Sequence, residues 1–200
     1  VRILKAAMAD GVDAQGASGM LLGRALADLG KTDEAVAAYR AADGRERIAG
    51  HMLAGIQLAV AGRCPEAIHL FVEAAARKPP SAEVFKHIGN CQLIIGDDEV
   101  AAVTLRKGAQ LAPEDLDLLV PLGQALEKLN DVAGAKQAFR RALVVAPSDR
   151  RAREGLKRIG FVDAALRPEL VNRDQDLADA EPVDPKVLEV AAHAAFKAGD

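Results

Sequence analysis

"VPLGQALEKLNDVAGAKQAFRRALVVAP", residues 120–147, decides the fold. It contains an apolar-glycine pair, Leu122-Gly123, then Asn130-Asp131, then a small-large-small set, Ala135, Phe139 and Ala142, and finally Pro147. The same sequence of features recurs upstream. Glycine before a charged residue stands at Gly30-Lys31, Gly62-Arg63 and Gly96-Asp97, so that these pairs and Asn130-Asp131 follow one another at a nearly constant step. Five residues on come Ala35, Ala67 and Ala101, followed by Tyr39, Phe71 and Leu105, then by Ala42, Ala74 and Gly108. The apolar-glycine pair returns as Leu22-Gly23, Ala54-Gly55 and Ile88-Gly89, and Pro79 and Pro113 match Pro147, with Arg47 in their place in the first copy.

This spacing describes a helix hairpin. Small, large and small residues at i, i+4 and i+7 share one helical face, where the small ones admit a neighbour and the large one fills the gap. Glycine in the first helix lets a second backbone approach. The Gly or Asn between the helices supplies the left-handed residue that stops the first helix, and proline stops the second because the residue before it disfavours helical geometry.

These residues resemble the tetratricopeptide repeat, with its 34-residue period and W-x₂-L-G-x₂-Y…A-x₃-F…P pattern. The resemblance covers residues 16–149 as four units, 16–47, 48–81, 82–115 and 116–149. It implies an all-α, right-handed superhelical solenoid of helix hairpins. The Trp and Tyr positions are replaced by Gly19 and Leu26, His51 and Leu58, Phe85 and Gln92, and Leu119 and Leu126. Residues 1–15 read as the end of a preceding repeat, and 150–167 as a partial or capping repeat whose first helix is capped by Ser148 or Asp149. Residues 168–184 read as an acidic connector, and 185–200 as the first helix of a further unit. A start at Val1 and a stop at "FKAGD" read as cuts from a longer chain.

Composition narrows the function classes. Over 200 residues the net charge is −3, there is no Trp and only one Tyr, which disfavours a general nucleic-acid binder with its basic footprint and stacking platforms. No apolar run is long enough for membrane insertion. Two cysteines outside any C-x-x-C pair make no disulfide framework and favour a reducing compartment, the cytoplasm. His51, His69, His87 and His193 lie on separate helices without close ligand pairs, so no metal is expected. Phosphate-cradle and nucleophile-elbow motifs are missing, and no cofactor or catalytic constellation is implied.

By the resemblance, the first helices line a groove that holds a protein or peptide ligand. Met20, Leu21, Arg24, Met52, Leu53, Ile56 and Val60 make an apolar wall suited to an amphipathic helix or an extended apolar peptide, the alternative being that they pack against the preceding unit or a dimer partner. In "VFKHIGNCQLIIGD", residues 84–97, Lys86 and Asn90 are four apart and share a face, where the framework leaves them free to meet a ligand. Gln124 and Arg151 complete the expected groove. Lys86 and Asn90 resemble the start of the carboxylate clamp of chaperone-tail-binding repeats, but Pro121 and Gly155 stand at two of the five matching positions. The pair thus reads as a partial anion site or as polar groove lining. Pro121 either kinks its helix or is absorbed near the helix start. Arg140, Arg141, Arg150, Arg151, Arg153, Lys157 and Arg158 make a basic end that either docks the acidic connector or is a solvated helix face. Cys91 reads as packing material. The leading reading is a non-catalytic interaction scaffold. Its rivals are the arm of a larger bacterial transferase and a self-assembly module.

Overall fold

At each expected hinge the backbone turns left-handed: φ is +71° at Gly30, +78° at Gly62, +85° at Gly96 and +59° at Asn130. Gly160 adds a fifth at +75°. A positive φ costs glycine little and asparagine less than most other residues, which is why these types occupy the hinges.

A computed structural model describes residues 17–42, 47–76 and 81–160. The expected preceding repeat at 1–15, Pro79, the connector at 168–184, the further helix at 185–200 and His193 lie outside the described residues. Those described fall into two compact units, one within 1–80 and one within 81–189.

In the first unit, α1 (Ala17–Asp28) and α2 (Thr32–Arg40) form one hairpin, and α3 (Arg47–Val60) and α4 (Cys64–Ala75) the next. In the second, α5 (Ala82–Ile95) pairs with α6 (Asp98–Leu111), α7 (Leu116–Lys128) pairs with α8 (Val132–Val145), and α9 (Arg150–Arg158) follows. Every element among the described residues is helical. The starts of α5, α7 and α9 are each one full repeat period apart. Within each unit a helix packs mainly on its immediate neighbours, and first helices also touch one another, α1 with α3, α5 with α7 and α7 with α9.

The core is made by the repeating small-large-small faces. Ala35, Tyr39, Ala67, Phe71, Ala101, Leu105, Ala135 and Phe139 are all buried. In each hairpin the large residue lies over the glycine sixteen positions earlier. A Cβ on Gly23 would sit 2.5 Å from the Tyr39 ring, one on Gly55 2.6 Å from Phe71, one on Gly89 2.5 Å from Leu105 and one on Gly123 2.6 Å from Phe139. Such separations are too short for any side chain, so glycine is what lets the two helices of a hairpin close.

Helices α6 and α8 end as expected before proline, with Ala112 and Ala146 leaving helical geometry at φ −134° and −133° ahead of Pro113 and Pro147. Three starts are capped by aspartate: Asp115 accepts from Asp117 N, Asp131 from Gly134 N and Asp149 from Ala152 N. Asp149, rather than Ser148, thus caps α9. Pro121 lies buried inside α7, which continues past it to Lys128.

Candidate functional site

In the first unit, the expected groove residues come from α1 and α3. Met20, Met52 and Ile56 are half-buried, Arg24 is exposed, and Leu21 and Val60 are 59% and 79% exposed. The stack is tied at its turns by Arg63, which donates to both Glu66 oxygens at 2.6 Å and to Asp33 of the preceding hairpin. Hydrogen bonds to Glu66 and Asp33 hold the Arg63 guanidinium firmly protonated, and the same contact keeps the Glu66 carboxyl below its usual range. On another side, Glu73 joins two histidines that the sequence keeps on separate helices. His51 Nε2 stands 3.2 Å from one oxygen and His69 Nε2 3.2 Å from the other, while His51 Nδ1 is 2.6 Å from the Arg47 carbonyl. Among the described residues, no group of three or more His, Cys, Asp or Glu side chains is placed to hold a metal ion.

In the second unit, α5, α7 and α9 line a groove of about 490 Å³, bounded by Leu93, Ile94, Gln124, Glu127, Lys128 and Arg158. Ile94 is 67% exposed there. Asn90 and Gln124, one repeat period apart, are both half-buried first-helix residues. Several charges on these helices are paired across the stack. Lys86 Nζ lies 3.6 Å from Asp115, the cap of α7, so it is not the free cation that the sequence suggests. Lys128 bonds Asp98 at 2.8 Å and reaches the Leu93 carbonyl at 3.4 Å. Arg158 grips Glu127 through two bonds of 2.7 and 2.8 Å, and Arg151 bonds Asp149 at 3.2 Å and Asp117 at 3.4 Å. Hydrogen bonds to these carboxylates, Asp149 first for Arg151 and Glu127 for Arg158, raise both guanidinium pKa values. Burial pushes the Asp149 carboxyl up, but bonds from Ala152 N and Arg151 outweigh it, and the net direction is down.

The basic end is therefore mostly engaged within the fold. Besides Arg151 and Arg158, Arg150 pairs with Glu154 at 3.4 Å, Arg141 donates to the Pro113 carbonyl and Arg153 to that of Pro147. Cys64 and Cys91 are buried and neither is in a disulfide. Gln92 is 1% exposed, and neither its amide nitrogen nor its oxygen has a hydrogen-bond partner among the described residues. Burial lowers the pKa of His87, with Glu83 opposing and Lys86 adding to the shift.

The structure thus places Lys86, Asn90, Gln124 and Arg151 on the first helices of one compact unit, and Met20, Arg24, Met52 and Ile56 on those of the other. Sequence reasoning missed Leu93, Ile94, Glu127, Lys128 and, as a groove residue, Arg158. The signal was present in the period: Leu93 matches Glu127, and Ile94 matches Lys128, one repeat later and in the same register.

Two family models described as tetratricopeptide repeat match the sequence, at residues 20–47 and 120–157. Among curated proteins, none matches the sequence significantly. Among solved structures, a tetratricopeptide repeat protein from Parabacteroides merdae is 19% identical, with a TM-score of 0.67 over 72% of this chain and 58% of that one. The MamA protein is 17% identical, with a TM-score of 0.64 over 92% of this chain and 93% of that one. The second such domain of human RPAP3, solved with the HSP70 peptide SGPTIEEVD, is 20% identical, with a TM-score of 0.53 over 56% of this chain and 93% of that one. Identities this low speak to the fold. Together with the two family matches, the left-handed hinges and the glycine seats under Tyr39, Phe71, Leu105 and Phe139, they show that the chain carries tetratricopeptide repeats and has their fold.

Proposed function

We propose that the chain is a non-catalytic interaction module that holds a peptide or protein segment against its first-helix faces. The observation that carries this is the groove of about 490 Å³ across α5, α7 and α9, where Ile94 is left 67% exposed beside Gln124. Three successive first helices supply this wall, and an extended segment lying across them would touch one repeat after another, which is how solenoids build long binding surfaces. The peptide bound to the RPAP3 domain is in keeping with such a role. The first unit, taken by itself, would offer a more apolar face in Met20, Met52 and Ile56, flanked by Arg24.

Selection of a random-peptide library on the chain, followed by amide chemical-shift mapping of a selected peptide, tests this. Perturbations are expected at Asn90, Ile94 and Gln124 or, for a peptide held by the first unit, at Met52 and Ile56. Shifts confined to the second helices α2, α4, α6 and α8 would overturn the reading.

A further inference from the structure

Four of the cations on the first helices of residues 81–160, including both that line the groove, already have an anion of the fold beside them: Lys86 with Asp115, Lys128 with Asp98, Arg151 with Asp117 and Asp149, and Arg158 with Glu127. A ligand carboxylate arriving at one of these four would compete with the anion already there, and the two-bonded Arg158–Glu127 pair is the hardest to open. At two of the positions where a clamp for a terminal carboxylate would place side chains stand Pro121 and Gly155, which offer no donor.

What the wall leaves unsatisfied is uncharged. Asn90 and Gln124 are half-buried and make no hydrogen bond to another described residue, and they recur in the same register one repeat apart. A carboxamide carries an N–H donor and a C=O acceptor, the same complement as a peptide group, so each can bond a passing main chain in both senses. Beside Gln124, Leu93 and the exposed face of Ile94 make the apolar floor of the groove.

Resting on the reading of this face as the binding surface, we propose that its ligand is an extended, uncharged peptide segment. An aliphatic side chain sits on Leu93 and Ile94, and the flanking main-chain amides bond the carboxamides of Asn90 and Gln124. Apolar contact and the two carboxamides then set affinity, and the ionic pairs only frame the groove.

The test uses the full chain, amide chemical shifts and two probes. One is an acetylated, amidated peptide with a single leucine among Gly, Ser and Thr. The other has the same core with a Glu on each side of the leucine and a free carboxylate at its end. The neutral peptide is expected to move Asn90, Ile94 and Gln124, with an affinity unchanged by added salt, and to bind at least about tenfold more tightly than the acidic one. Ile94→Asp is expected to weaken it about tenfold or more and Gln124→Ala several-fold, while Arg151→Ala changes little. Ile94 and Gln124 side chains reach solvent, so both variants should fold, which circular dichroism checks. If the acidic peptide alone moves these residues, the inference fails and the binding face stands. If neither probe moves any first-helix residue, both fall.

Discussion

The ring of Phe139 is seated between two glycines, Gly123 sixteen residues before it and Gly155 sixteen after. A Cβ would come within 2.6 Å of the ring from Gly123 and 2.4 Å from Gly155. Helices α7 and α9 therefore close on α8 through one side chain. Gly123→Ala is expected to cost about 1–3 kcal/mol by overpacking, and Phe139→Ala about 3–5 kcal/mol by cavity formation. Because the smaller residue at 139 removes the clash, the double variant should lose less than the sum of the two. Urea unfolding of the four proteins measures the coupling, and strict additivity would mean that the ring does not bear on Gly123.

Gln92 offers a gain in stability. Its carboxamide is buried and finds no partner among the described residues, and leaving a buried polar group unpaired costs about 1–3 kcal/mol. Gln92→Leu keeps the volume and removes the polar atoms. The urea midpoint should rise, by about 1 kcal/mol or more in free energy. A fall would show that the carboxamide is satisfied by bound water.

Capping gives a local handle. Asp149 accepts from the Ala152 N–H at 2.9 Å and closes the first turn of α9. Asp149→Ala should cost about 1 kcal/mol, while Asp149→Ser should recover most of it. Hydrogen exchange in α9 would report the difference. Equal protection in all three proteins would rule the cap out as a source of stability.

Below neutral pH, His87 works against the fold. Its burial lowers the folded pKa beneath the unfolded value of 6.5, so the unfolded chain binds more protons as the pH drops. The stability present above the unfolded pKa is then progressively lost until the folded pKa is passed. His87→Gln should flatten the slope of unfolding free energy between about pH 5 and 7. A slope that survives the substitution would place the titration elsewhere.

The hairpins were legible because their determinants are local. A left-handed Gly or Asn, an i, i+4, i+7 packing face and a proline stop each act within a few residues, and all four hinges adopt the backbone that the sequence calls for. Tyr39, Phe71, Leu105 and Phe139 were readable for the same reason. The groove was less so. Lys86 looked free because its partner, Asp115, caps the first helix of the following hairpin and meets it only after two hairpins have stacked. Ile94 gave no sign of being left uncovered, since a run of Leu93, Ile94 and Ile95 reads as core until the register shows which face is already filled. His51 and His69 looked unrelated until α3 and α4 closed and Glu73 came between them.

Stacking that reaches mainly to the next hairpin also bears on how quickly the chain finds its fold. The ion pairs that join one repeat to the next span about one period, from Lys86–Asp115 to Asp117–Arg151, and the main helix contacts stop at the second neighbour. The loop that must close before a contact forms stays near one repeat long, however many repeats are added. Folding should therefore proceed at the pace of a hairpin and its neighbour, in the fast regime of low contact order, and spread along the array from wherever the first pair forms.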